Sequence, residues 1–184
     1  MEKKMNTNKL RGSLLIGAVL LLCFKAWGEE VTLPVTAYSV ISSDSENRLL
    51  VNIPIPDNAA DSNLLFAEFS IRIIPELTGD SILTINCHAV STTWEPDNVG
   101  WEFPWQNPGG DFEADEGTFY STVSPSDSAA NFDITELLRA WLIGDRANYG
   151  LIFIVPERSV SDYQIDSPPD LPGGAIGTVR LVIR

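Results

Sequence analysis

The chain has 184 residues, 12 of them basic and 25 acidic, for a formal charge of −13 at pH 7. That balance repels nucleic-acid phosphates and anionic membrane surfaces, so neither is expected as a partner. One His and two Cys leave nothing for a His-based metal centre, a Ser-His-Asp arrangement or a disulfide framework.

Residues 1–28 read as a signal peptide. Lys3, Lys4, Lys9 and Arg11 form a basic start, Leu14 to Phe24 is an apolar run too short to span a bilayer comfortably, and Ala26-Trp27-Gly28 offers small residues at −3 and −1 of a cleavage site. A lipid anchor on Cys23 would need a small residue before it, and Leu22 stands there. Cleavage after Gly28 leaves a single domain, residues 29–184, with seven Arg, no Lys and 24 acids, a net charge of −17. After cleavage no membrane segment is expected. The remaining length suffices for one domain with a real core, and Cys87 is its lone cysteine.

Val31–Ile41 reads as a strand, with Pro34 marking an edge. Leu49, Val51, Ile53 and Ile55 recur with period two, as do Ala67, Phe69, Ile71 and Ile73, then Leu83, Ile85, Cys87 and Ala89. This register sends Cys87 into a core and His88 outward, toward solvent. From Ser91 to Gly117 the patterning stops, for longer than ordinary strand connections run. Phe119–Val123 makes a short strand, and Ser124–Ala130 reads as a loop of small residues.

Phe132–Gly150 holds the one convincing helix. Ile134, Leu137, Leu138, Trp141 and Leu142 form an apolar stripe at helical spacing. Asp133 sits at the expected N-cap with Glu136 three residues on, a capping box, and Gly144 supplies the stop. Leu151–Val155 is apolar on both faces, as a central strand is. Glu157–Gly174 reads as a polar loop, and Val179, Leu181 and Ile183 alternate in a final strand. Seven or eight strands, one helix and no βαβ alternation predict an all-β fold: an antiparallel, jelly-roll-like β-sandwich with one short helix packed against it.

Two clusters in the irregular stretch carry chemistry. Trp101, Phe103 and Trp105, with Tyr120 beyond, offer aromatic faces that stack on sugar rings; the alternative is that these rings plug the sandwich, which is the expectation for Trp94. Asp111, Glu113 and Asp115 place hard oxygen ligands at alternate positions, which would hold calcium if Asp97 or Glu102 completes the set. The spacing departs from an EF-hand, since Gly117 falls at position seven and no acid follows at position twelve; a solvated acidic turn is the alternative. Paired carboxylates arise by chance among so many acids, so they do not indicate a glycosidase.

NRLLVNIPIP (47–56), AEFSIRI (67–73), Trp94-Glu95 with Trp101 downstream, FDITELLRAWLIG (132–144) and NYGLIF (148–153) occur in an order that resembles the DNRLRE-type domain, related to carbohydrate-binding module family 96. The resemblance runs from Asn47 to Arg184. It implies a secreted bacterial β-sandwich, usually a non-catalytic module of a larger surface or polysaccharide-degrading protein, and characterised members of the carbohydrate-binding family bind alginate. The expectation is therefore an exported, non-catalytic module that binds polysaccharide at the cell surface, with no cofactor unless calcium. The alternative is a structural or protein–protein interaction subunit of the cell envelope.

Overall fold

Leu49-Leu50-Val51 and Leu151-Ile152-Phe153 are apolar on both sides of the chain, so both runs need cover on both faces. They become neighbours at the centre of one sheet. The computed structural model describes residues 28–75, 82–114, 118–124, 126–155, 163–165 and 175–184. The signal-peptide expectation, and most of the loop expected at 157–174, lie outside the described residues.

The described residues form ten strands: β1 (Glu29–Val35), β2 (Tyr38–Ser42), β3 (Asn47–Val51), β4 (Leu64–Pro75), β5 (Leu83–Ala89), β6 (Thr118–Val123), β7 (Ala129–Asp133), β8 (Leu151–Ile154), β9 (Tyr163–Ile165) and β10 (Gly177–Ile183). One sheet runs β1–β10–β4–β7, with β9 pairing at the far end of β4, and the other runs β2–β3–β8–β5–β6. All pairings are antiparallel. With β2 and β9 set aside, the chain visits the two sheets in the strand order of a jelly roll: β1–β10–β4–β7 over β3–β8–β5–β6.

The alternating rows meet between the sheets. Ala67, Phe69 and Ile71 of β4 and Val179, Leu181 and Ile183 of β10 face Leu49, Val51, Leu83, Ile85, Cys87 and Phe153. Phe69, Phe132 and Phe153 form the centre, with ring centroids 5.1–6.4 Å apart. Each such side chain, fully buried, contributes about 1.5–3 kcal/mol. Cys87 lies in this core as the register requires, and burial pushes its thiol well above the ordinary value, which leaves it an inert hydrophobe.

The expected single strand over Val31–Ile41 is two strands in different sheets. The chain leaves the first sheet after Val35 and enters the second at Tyr38. Pro34 does lie on an edge, since among the described residues β1 pairs only with β10. The expected loop over Ser124–Ala130 overlaps β7, whose sequence AANFD is too short and too polar to announce itself.

Helix α1 (Thr135–Leu142) links β7 to β8 and closes one end of the sandwich, burying Leu137, Leu138 and Trp141. Its N-terminus corrects the capping-box expectation. Ile134 is the N-cap, and Glu136 pairs with Arg139 (2.6 Å) rather than reaching back. Asp133 still serves the entry: its Oδ1 accepts the Thr135 backbone N–H (3.0 Å) and hydroxyl (2.6 Å). The Thr135 oxygen in turn accepts the Ala67 N–H (2.9 Å), pinning the helix start to β4. Gly144, at φ +75°, ends the helix as expected.

Candidate functional site

The two outer faces differ. Outside the first sheet, Arg180 of β10 reaches Glu68 (3.4 Å) and Glu30 (3.8 Å) across neighbouring strands, a solvated charged row. Outside the second, Ile41, Leu50, Val90 and Ile152 form an apolar patch, and it is covered. The cover is the irregular stretch after β5.

Trp94 and Trp105 pack onto that patch and are only 7% and 8% exposed. Each buried indole N–H has an acceptor: Trp94 Nε1 donates to the Tyr149 carbonyl and Trp105 Nε1 to the Gly100 carbonyl, both at 2.7 Å. Trp94 thus ties the cap to the Asn-Tyr-Gly turn before β8. Trp101 is half-buried with the Arg48 guanidinium 4.9 Å from its ring centre. Arg48, on the outer face of β3, holds Glu46 with two nitrogens (2.7 and 3.2 Å) and donates a third to the Gly109 carbonyl (2.8 Å).

The cap closes through Asn107-Pro-Gly-Gly-Asp111. Gly109 and Gly110 sit at φ +91° and +108°, where a side chain is strained. A Cβ on Gly110 would stand 2.8 Å from Ile152 Cδ1, and one on Gly109 2.9 Å from the Trp101 ring. Close approach to the sheet therefore also requires glycine here. Asp111 then organises the turn. Its Oδ2 accepts the Gln106 N–H (2.7 Å) and the Thr92 hydroxyl (3.0 Å); its Oδ1 accepts the Asn107 N–H (2.9 Å) and amide (3.3 Å). Burial alone pushes this carboxyl up, but these donors outweigh it and hold it below the ordinary 3.8. Phe112 completes the return by bridging to Val90, with Glu113 N–H on the Ala89 carbonyl (3.0 Å).

His88 points outward from the sandwich, as its register requires, but not into solvent. The cap covers it to 7% exposure, with its ring 4.7 Å from Phe112 and Nδ1 3.3 Å from the Glu113 carbonyl. Burial pushes the imidazole below its ordinary 6.5, the Glu113 carbonyl opposes that, and Arg48 adds to it.

The stacking platform is accordingly redrawn. Trp105 faces inward because Ile41, Leu50 and Ile152 need cover, and one side of Trp101 lies under Arg48. Phe103 (58% exposed) and Tyr120 (71%) do present rings to solvent; Tyr120 stands on the outer face of β6, since Phe119 turns into the core. Of the acidic run, Asp111 has both oxygens occupied by the turn, Glu113 pairs with Arg146, and Asp115 lies outside the described residues. Among the described residues no group of three or more His, Cys, Asp or Glu is placed to hold a metal ion.

Between the NPGGD turn and the start of the cap an open cleft of about 530 Å³ remains. Ser91, Thr92, Gln106 and Asn107 give it hydroxyl and amide walls, Phe112 an aromatic one, and Arg48 and Asp111 also line it. The sequence marked Ser91–Gly117 only as irregular, and nothing in it said that Thr92 and Arg48, far apart in the chain, would face the same space. Neither the family models nor the curated proteins compared with this sequence give a match.

Proposed function

We propose that the chain is an exported, non-catalytic β-sandwich module that binds a polysaccharide at the cell surface in the cleft beside the tryptophan cap. One observation carries this: hydroxyl and amide side chains converge on an aromatic ring in a concave site whose backbone is already fixed. Sugars are bound by such planar hydrogen-bonding groups beside an apolar face, and a fixed loop adds no ordering cost on binding. Phe103 and Tyr120 do not line the cleft but are exposed, and they are the remaining rings open to a long chain. Export fits the start of β1 at Glu29, since cleavage after Gly28 leaves the strand whole.

Calorimetry of the mature chain against soluble polysaccharides tests the proposal. Binding is expected, and Gln106→Ala weakens it without lowering the melting temperature. The side-chain amide of Gln106 has no intramolecular partner among the described residues, so its removal reports on ligand alone. No binding to any neutral or acidic polysaccharide, with or without calcium, would refute it.

A further inference from the structure

Given that the cleft binds a glycan, the charges in its wall decide which kind. Among the described residues that line it, the ionisable groups are Arg48 and Asp111. Arg48 is neutralised by the two-point pair with Glu46, and a third nitrogen is committed to the Gly109 carbonyl. Among the described residues Asp111 has no cation paired with it: the groups on its carboxylate are two backbone N–H, one hydroxyl and one amide, all neutral. Those donors hold the carboxyl below its ordinary 3.8, so it is charged at neutral pH. Arg48, Glu46 and Asp111 together therefore leave one negative charge at the site, within a domain of net charge −17.

A uronate or sulfated sugar needs a cation or an array of open N–H groups to replace the water its charge gives up. Among the described wall residues the one cation, Arg48, is paired with Glu46, and the backbone N–H groups of Gln106 and Asn107 are spent on Asp111. What stays open to a ligand is uncharged. The Gln106 side-chain amide, the Ser91 hydroxyl and the Asn107 side-chain oxygen Oδ1 have no intramolecular bond among the described residues, and the Phe112 ring, with the Arg48 guanidinium 5.7 Å from its centre, lies beside them. We infer that the cleft selects neutral, hydroxyl-rich glycans and rejects acidic ones, and that Glu46 enforces the selection by holding Arg48 neutral.

The experiment is affinity electrophoresis and calorimetry of the mature chain with a neutral β-glucan, a neutral galactomannan, polygalacturonate and alginate, at low and high salt, without added divalent cations. The wild type is expected to bind a neutral polymer at least about tenfold more tightly than either acidic one, the worth of a single charged contact, with little change on adding salt. Glu46→Gln leaves Arg48 against Trp101 and Gly109 but unneutralised. It is expected to raise the acidic-to-neutral affinity ratio by about tenfold, with a salt dependence the wild type lacks. Equal or tighter binding of the acidic polymers by the wild type overturns the inference while leaving polysaccharide binding standing. An unchanged ratio in a Glu46→Gln variant that melts cooperatively removes Glu46 from the selection. Binding of none of the four polymers defeats the inference and the function it rests on together.

Discussion

Asp111→Asn is a nearly isosteric change with a large expected effect, because it removes one acceptor from a turn that uses two. In the wild type each carboxylate oxygen takes two donors, one of them a backbone N–H. An amide has a single acceptor oxygen, so in either orientation its NH2 faces one of the two pairs. The backbone bond on that side is lost, since the Thr92 hydroxyl or a flipped Asn107 side-chain amide can accept from the NH2 but a backbone N–H cannot, and the Gln106 or the Asn107 N–H is stranded beside another donor. Bonds to a charged acceptor are worth about 1.5–3 kcal/mol each, and an orphaned donor costs about 1–3 kcal/mol. Gln106 and Asn107 are exposed, so water recovers part of this, and a net loss of about 2 kcal/mol is expected. For a domain of this size that lowers the melting temperature by about 4–8 °C. Thermal melts followed by tryptophan fluorescence and circular dichroism, repeated across pH, make the assay. Asp111 is held below 3.8 in the folded state, so its contribution is complete above the unfolded value and is lost as pH falls through the folded one. The gap between wild type and variant should be full at neutral pH and should close only in strong acid. A variant that melts with the wild type at neutral pH, or a gap that does not close in acid, would refute the role given to Asp111.

Trp141→Ala empties the helix face that closes the sandwich and should cost about 3–5 kcal/mol in urea unfolding. Gly110→Ala forces a side chain to φ +108° against Ile152 and should destabilise by about 1–3 kcal/mol; a neutral result would mean the cap does not approach the sheet this closely. His88, titrated by NMR, should show a midpoint below 6.5. Its folded pKa is lowered, so stability is unaffected above that value and falls as pH drops from it toward the folded one.

The inner layer was legible because burial on one face leaves a period of two. Val179, Leu181 and Ile183, or Leu83, Ile85 and Cys87, could face only one way, and the double-sided run at Leu151 could only be central. The helix stripe was equally plain, and the error at its start was one residue of offset: Asp133 serves the first turn from just outside it. The outer layer was not legible, because a loop that packs on a sheet has no period. His88 read as solvated since its neighbours Thr84 and Asn86 are polar, and the ring that covers it, Phe112, lies 24 positions on. A sign was present in Leu50 and Ile152: both occupy outward registers, and apolar residues there require cover. The tryptophans supply it, so rings that resembled a stacking surface became a second core, and the cleft formed from the polar residues between them.

Exchange of the tryptophan indole protons with solvent tests most directly whether this cap is a packed layer. The Trp94 and Trp105 Nε1 protons, bonded to the Tyr149 carbonyl before β8 and to the Gly100 carbonyl within the segment, should exchange orders of magnitude more slowly than a free indole. If both exchange at the free rate in a chain that is otherwise folded, the segment does not lie on the sheet, and the cleft it frames does not exist.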